Sequence, residues 1–359
     1  MKSIFSRTFF TLLTMAFLSP LALADDDDLA VNEVEGSLSV MVLGSGGPIA
    51  TAEGRASAGY LIFTDGKPRI LMDVGGGTFQ RLAKSGTNIK DLDIILLSHL
   101  HADHTGDLTP VIKTLYFHNN LAGTGRTAPV RIYGPAVTAL PHDDTGKVTY
   151  PNGLPVYPST ADYVDGHYSI SDGGVERYLT AFVKGISGGA SNFSYTANDL
   201  SSRIPNASIE TLLDEGGLVI KSIAVDHGPV PAVAFRVEYK GHSIVYSGDT
   251  GTKGIGPNNL GQGNMATISQ EADILIYDTA VMEVGDAPPN PLFHLLHTQP
   301  SLIANVAIEA NVKKLVLSHL TPVTSPRVKE IKKIIKRAGF KGKIKSAKDL
   351  KVYNLGDDD

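Results

Sequence analysis

The chain has 359 residues, a formal net charge of −5 and no cysteine. Without thiols there are no disulfides, thiolate metal sites or cysteine nucleophiles. The near-balanced charge gives no global signal for a polyanionic partner, and the length allows one large apolar core.

The N-terminus carries Lys2 and Arg7, an apolar run over residues 8–18 and an Ala22-Leu23-Ala24 ending. That pattern predicts a cleavable secretory signal peptide, residues 1–24, cut after Ala24. The run is too short for a permanent bilayer span, so the expectation is a periplasmic or secreted protein with no stable membrane anchor. Residues 25–359 read as a single domain, because no Pro/Ser-rich linker divides them. Strands are predicted at 37–43, 60–63 and 70–74, with a turn at Gly44-Ser45-Gly46-Gly47-Pro48. A helix is predicted at 78–84, a strand at 93–98, a helix around 108–117 and a short strand at 130–133. Residues 137–216 are rich in Gly, Pro, Ser, Asp and Tyr with weak periodicity, and read as an insertion. Patterning resumes with strands at 218–225, 232–239, 242–247 and 274–277. A helix follows at 299–309, a strand at 314–318, a helix at 328–338 and a last strand near 351–355. Strands in two runs, each followed by helices, predict an α/β protein of two sheets packed face to face with helices outside.

The strand at 93–98 ends in His99-Leu100-His101-Ala102-Asp103-His104. Four candidate metal ligands in six residues, just past a strand end, suit zinc or a similar first-row ion. Such a turn cannot complete two metal shells alone. Three further apolar strands end in a ligand-type residue: 221–226 before His227, 244–248 before Asp249 and 315–318 before His319. Asp73, ending another strand, reads as a carboxylate holding a ligand histidine's second nitrogen, or as a plain turn residue.

These residues resemble the metallo-β-lactamase fold superfamily, and within it the chain is similar to the branch of ribonuclease Z and the zinc-dependent arylsulfatases. The resemblance rests on residues 97–108, Gly125-Arg126-Thr127, Ile132-Tyr133-Gly134-Pro135, Tyr246-Ser247-Gly248-Asp249-Thr250, His297-Thr298 and Leu317-Ser318-His319. It implies a four-layer αββα sandwich and two zinc ions. One would take His99, His101 and His227, the other Asp103, His104 and His319, with Asp249 bridging. A zinc-activated water would then be the nucleophile, and Asp103 would belong to the catalytic group as well. It also implies that His297 assists the leaving group or the substrate anion. Asp278 could orient it, although the related ribonucleases carry His-Glu-Ala-Thr where this chain has Tyr277-Asp278-Thr279-Ala280.

The segment 137–216 contains ten acidic and four basic residues, a balance that repels phosphate chains. Its aromatic residues, among them Tyr157, Tyr163, Tyr168, Tyr178, Phe182, Phe193 and Tyr195, could wall an aryl group or form the segment's own core. With the signal peptide, these features select an exported arylsulfatase that hydrolyses small anionic esters and binds no nucleic acid. A periplasmic phosphodiesterase is the alternative, then a lactonase or other carboxylic ester hydrolase. A non-catalytic metal-binding scaffold is disfavoured by the intact ligand set, and a homodimer is compatible with all of these. The stretch 327–351 is strongly basic. Val328, Ile331, Ile334 and Ile335 recur at helical spacing, so it reads as an amphipathic helix with a solvated face. The alternative is a site for an anionic polymer.

Overall fold

The structure is a computed structural model that describes residues 29–121, 125–136, 157–204, 207–251, 260–284 and 291–356. The predicted signal peptide lies outside these residues. In chain order the strands are β1 (Leu38–Gly44), β2 (Gly59–Thr64), β3 (Lys67–Val74), β4 (Ile94–Leu96), β5 (Val130–Pro135), β6 (Tyr195–Leu200), β7 (Glu210–Glu215), β8 (Leu218–Val225), β9 (Ala232–Tyr239), β10 (His242–Tyr246), β11 (Ile274–Asp278), β12 (Lys314–Ser318), β13 (Lys343–Ser346) and β14 (Val352–Leu355). The helices are α1 (Thr78–Lys84), α2 (Ala102–Thr105), α3 (Leu108–Leu121), α4 (Thr160–Tyr168), α5 (Leu179–Ile186), α6 (Leu260–Ile268), α7 (Pro291–Leu296), α8 (Pro300–Glu309) and α9 (Val328–Arg337).

The strands form two sheets, ordered β14-β1-β2-β3-β4-β5-β6 and β13-β12-β11-β10-β9-β8-β7. Alternation along the central strands explains the layering. Tyr60, Ile62, Ile70, Met72, Ile94 and Leu96 face the second sheet and meet Ile244, Tyr246, Ile274 and Ile276 in a buried core between the sheets. Their neighbours Leu61, Phe63, Leu71 and Ile95 face outward under α1, α3, α4 and α5. On the far side, Val245, Leu275 and Leu315 pack under α6, α8 and α9. Central strands buried on both faces lose the polar half of the usual strand pattern, so they read as continuous apolar runs. The result is the expected αββα sandwich.

The segment read as an insertion does more than decorate. Its described part supplies α4, α5 and one outer strand of each sheet. β6 continues the first sheet parallel to β5, pairing Val130 with Tyr195, and β7 closes the second sheet against β8. Its aromatic side chains pack with α3: Tyr116 meets Phe193 edge-on at 5.0 Å, and Phe117 meets Phe182 at 5.5 Å. They build a local core, with Tyr178 and Phe182 left part-exposed on its surface.

β3 to β6 run parallel, as do β10 to β13. Their C-terminal ends therefore gather at common rims, where open α/β sheets place their sites.

Candidate functional site

One rim collects the ends of both sheets. Asp73 closes β3, and His99 follows β4. His227 follows β8, Asp249 follows β10, Asp278 ends β11 and His319 follows β12. His101 caps the single turn α2, which carries Asp103 and His104. Three overlapping groups of donors converge there: a first of His99, His101 and His227, a second of Asp103, His104, Asp249 and His319, and a third that shares Asp249 and His319 and adds Asp278 and His297.

The second group has the dimensions of a coordination shell. His104 Nε2 lies 3.2 Å from His319 Nε2 and 3.4 Å from both Asp103 Oδ2 and Asp249 Oδ1. His319 Nε2 lies 3.1 Å from Asp103 Oδ2 and 3.2 Å from Asp249 Oδ1. A tetrahedral ion with bonds of about 2.0–2.1 Å has ligand–ligand edges of about 3.3 Å. These residues therefore fit a divalent metal ion. The other oxygen of Asp249 faces the first group, 3.9 Å from both His99 Nε2 and His227 Nε2. His227 Nε2 is buried without a hydrogen-bond partner, because its Nδ1 donates to the Leu296 carbonyl at 2.9 Å. An imidazole nitrogen left bare in a buried site is costly unless a cation takes its lone pair.

The electrostatics divide the same way. Burial pushes His99 well below the ordinary imidazole range, with His104 and His227 adding to it. Burial also takes His227 down to about 4 and lowers His101. These three are neutral at pH 7 and offer lone pairs. His319 moves up. Burial lowers it, but Asp249 and hydrogen bonds to Asp103 and Asp278 outweigh burial and lift it to about 10. Burial opposes His104 too, yet Asp249, Asp73 and Asp103 raise it well above its usual value. In the metal-free chain, protons supply the positive charge that the acids demand, so metal binding must release them.

A buried network steadies the histidines. The Asp73 carboxylate accepts from the Ser98 N–H at 2.7 Å, the Ser98 hydroxyl at 2.7 Å and the Tyr246 hydroxyl at 2.6 Å, and lies 2.7 Å from His104 Nδ1. With a proton on Nδ1, Nε2 of His104 is left for the ion. The Ser98 hydroxyl also lies 3.1 Å from His99 Nδ1, so Asp73 reaches one histidine of each of the first two groups. Asp73 itself sits at φ 54, a strained conformation for a side chain with a Cβ, and His319 at φ 55. Asp73→Asn is expected to weaken divalent-metal affinity 10- to 100-fold without abolishing folding. Metal titration of the purified variant checks this, and an unchanged affinity would remove Asp73 from the assembly.

His297 Nδ1 lies 2.6 Å from Asp278 Oδ2. That separation is too short for two ligands of one ion, so the pair is hydrogen-bonded, with Nε2 as the ring's other functional nitrogen. Asp278 Oδ1 lies 3.3 Å from His319 Nδ1, which ties His297 to the metal-binding group. Every residue singled out from the sequence thus reaches the rim.

Ser98, Tyr246 and Gly47 were not foreseen there. A Cβ on Gly47 would come within 2.8 Å of the His319 ring, so the glycine turn after β1 is a close-packing device against a ligand. Only the repeated glycines of that turn hinted at it.

Relatives match over almost the whole chain. Proteins named ribonuclease Z from Mycobacterium bovis and Mycobacterium marinum are 26% and 27% identical to it, covering 87% of this chain and 96% and 97% of their own. Among solved structures, the metallo-beta-lactamase fold protein YhfI of Bacillus subtilis superposes with a TM-score of 0.57 at 20% identity. Human tRNase Z, short form, does so with 0.55 at 21%. Each alignment covers 88% of this chain and 98% of that protein. The named relatives overturn the arylsulfatase reading, together with the expected small anionic ester and the exclusion of nucleic acid. The acidic count misled because it ignored what the acids do. Asp162 caps α4, Asp165 accepts from Tyr195, Asp199 accepts from the Ala161 N–H, and Glu215 pairs with Arg131. These charges serve local structure and say little about what the metal rim accepts. The metallo-beta-lactamase superfamily model matches residues 52–319, from the turn after β1 to His319, and the chain belongs to that family of metal-dependent hydrolases.

Proposed function

We propose that the protein is a binuclear zinc phosphodiester hydrolase acting on RNA. The observation that carries this reading is the division of Asp249. One of its oxygens faces Asp103, His104 and His319, and the other faces His99 and His227. A shared carboxylate suits two adjacent ions. Divalent ions held by these residues would supply neutralisation of phosphoryl oxygens and a lowered pKa for water. The chain's own groups handle orientation and protons. Burial opposes ionisation of Asp103, but His104 and His319 hold its carboxyl well below the usual carboxylate range, so it stays ionised and can orient an incoming water through a hydrogen bond. Asp278 holds the His297 ring through Nδ1, so that Nε2, after taking a proton from solvent, can give it to a departing alkoxide. The ribonuclease Z relatives favour RNA as the diester.

The test is a comparison of a structured RNA with bis(4-nitrophenyl) phosphate, using the full chain before and after chelation. The expected result is cleavage of both, loss on chelation and recovery with zinc. Hydrolysis of the nitrophenyl diester with no cleavage of any RNA would reject the RNA half. Undiminished activity after complete metal removal would reject the mechanism.

A further inference from the structure

The C-terminal edge of the second sheet carries a concentration of positive charge that the metal site does not use. Residues 327–351 hold eleven lysines and arginines against two acids, in a chain that is net negative. Both acids are engaged. Glu330 pairs with Arg327 at 2.8 Å, and Asp349 accepts from Arg81, Ser45 and the Ala56 N–H. The lysines stay in water. Lys329 and Lys333 are exposed on α9, and Lys343, Lys345 and Lys348 are exposed on and after β13. Lys332 is pulled below the ordinary lysine range by partial burial and by Lys345, which shows how closely the two elements crowd their cations.

Two ordinary explanations cover part of this pattern. Lysines on an edge strand block sheet-to-sheet aggregation, which accounts for Lys343 and Lys345. An amphipathic helix needs a polar face, but either sign of charge would serve. Neither accounts for a single sign held over a helix and the strand beside it at the cost of mutual repulsion. The apolar residues Ile331 and Ile335 of α9 are buried under the sheet, so the helix has no greasy face to insert into a lipid surface. A hydrated polyanion fits better.

The edge also leads to the chemistry. β13 pairs in parallel with β12, the strand that ends at the His319 ligand. The Ala347 N–H donates to the Leu317 carbonyl at 2.8 Å, which sets Lys348 beside Ser318 and His319. Asp349 then binds Ser45 and Ala56 in the turn whose Gly47 abuts the His319 ring. From Lys341 to Lys348 an extended chain covers about 20 Å, so the basic strip approaches the rim from well outside it. We propose that the α9–β13 edge is the docking track for the phosphate backbone of the RNA substrate, delivering it to the metal rim. The inference rests on the RNA reading above.

The test uses the zinc-loaded full chain and the triple variant K333Q/K343Q/K345Q, with the corresponding triple arginine variant as a charge-preserving control. All three sites are exposed and lie outside the metal and proton-transfer groups. For a structured RNA, KM should rise about 10- to 30-fold with kcat little changed. The slope of log affinity against log salt should fall by about two to three, one phosphate contact per removed charge. The arginine control should behave as wild type, and kcat/KM on bis(4-nitrophenyl) phosphate should be unchanged throughout. If RNA is cleaved with the same KM and salt slope by the glutamine variant, the track is wrong and the RNA reading stands. If wild type neither binds nor cleaves RNA, both fall. Lysine-dependent capture on phosphatidylserine vesicles without RNA binding would overturn the track in favour of a lipid surface.

Discussion

Replacing Asp249 by alanine is expected to lower kcat/KM by at least about 1,000-fold, equivalent to about 4 kcal/mol of transition-state stabilisation. It should also reduce the bound metal to at most one equivalent. Among the described residues, no other side chain at the rim faces the first two donor groups through different oxygens. Burial alone would push this carboxyl up, but His319 and His104 hold it well below the usual carboxylate range. Its charge is therefore committed in the folded protein. Asp249→Asn keeps the shape and removes that charge, and should lose nearly as much activity, which separates electrostatics from packing. Metal content of the purified variants by elemental analysis, beside their rates, checks both statements. Two retained equivalents with near-normal rates would dismantle the shared-carboxylate geometry. The same argument predicts that chelation of the wild type lowers its melting temperature, because a ligand bound only by the folded state stabilises it by mass action. The variant's melting temperature should respond to chelator much less.

The parts of the fold most plainly read from the sequence are strands buried on two faces, beside the amphipathic α9 and the apolar outer strand β14. The strands expected at 218–225, 232–239 and 314–318 appear as Leu218–Val225, Ala232–Tyr239 and Lys314–Ser318. Their apolar runs are long and bounded by turns, so no tertiary information was needed to find them. β6 reads Tyr-Thr-Ala-Asn-Asp-Leu and β13 reads Lys-Ile-Lys-Ser. An outer strand is held by one neighbour and faces water on its free side, so its composition follows solvent as much as pairing. Such strands resemble loops until their partner is known. The helices α4 and α5 were lost for a related reason: each is short and packs on one side only, against α3 and the first sheet.

The metal-binding group was legible because its spacing is set by strand ends, and a strand end is a local property. Its support was less so. Ser98 is an ordinary strand-terminal serine until Asp73, from another strand, accepts its hydroxyl, and Tyr246 reads as a core aromatic until its hydroxyl meets the same carboxylate. Positions 73 and 246 are joined only by the packing of one sheet on the other. The substrate was misread by a different route. A net charge summed over a segment treats acids as though all of them faced the ligand, whereas Asp162, Asp165, Asp199 and Glu215 are spent on a cap, a tyrosine, a backbone amide and an arginine.

His297→Ala is expected to reduce the rate on RNA by about 100- to 10,000-fold, the usual contribution of a positioned proton donor, and on bis(4-nitrophenyl) phosphate by less than about 10-fold. The contrast follows from the leaving groups. A ribose oxygen departs as a strongly basic alkoxide and needs a proton in the transition state, whereas nitrophenolate spreads its charge over the ring and leaves without one. Asp278 is the second half of the argument. Its 2.6 Å contact to His297 Nδ1 orients the ring so that a proton taken up from solvent on Nε2 can pass to the leaving oxygen, and its other oxygen lies 3.3 Å from Nδ1 of the candidate ligand His319. Asp278→Asn should therefore follow His297→Ala in its leaving-group dependence, with a smaller loss on RNA and an added loss of metal affinity that His297→Ala lacks. Rates for each variant across diesters of graded leaving-group basicity provide the measurement. A donor steepens that dependence when it is removed. Equal losses on every leaving group would assign His297 to holding the phosphoryl anion, and the buried Asp278 would then serve only to orient its ring.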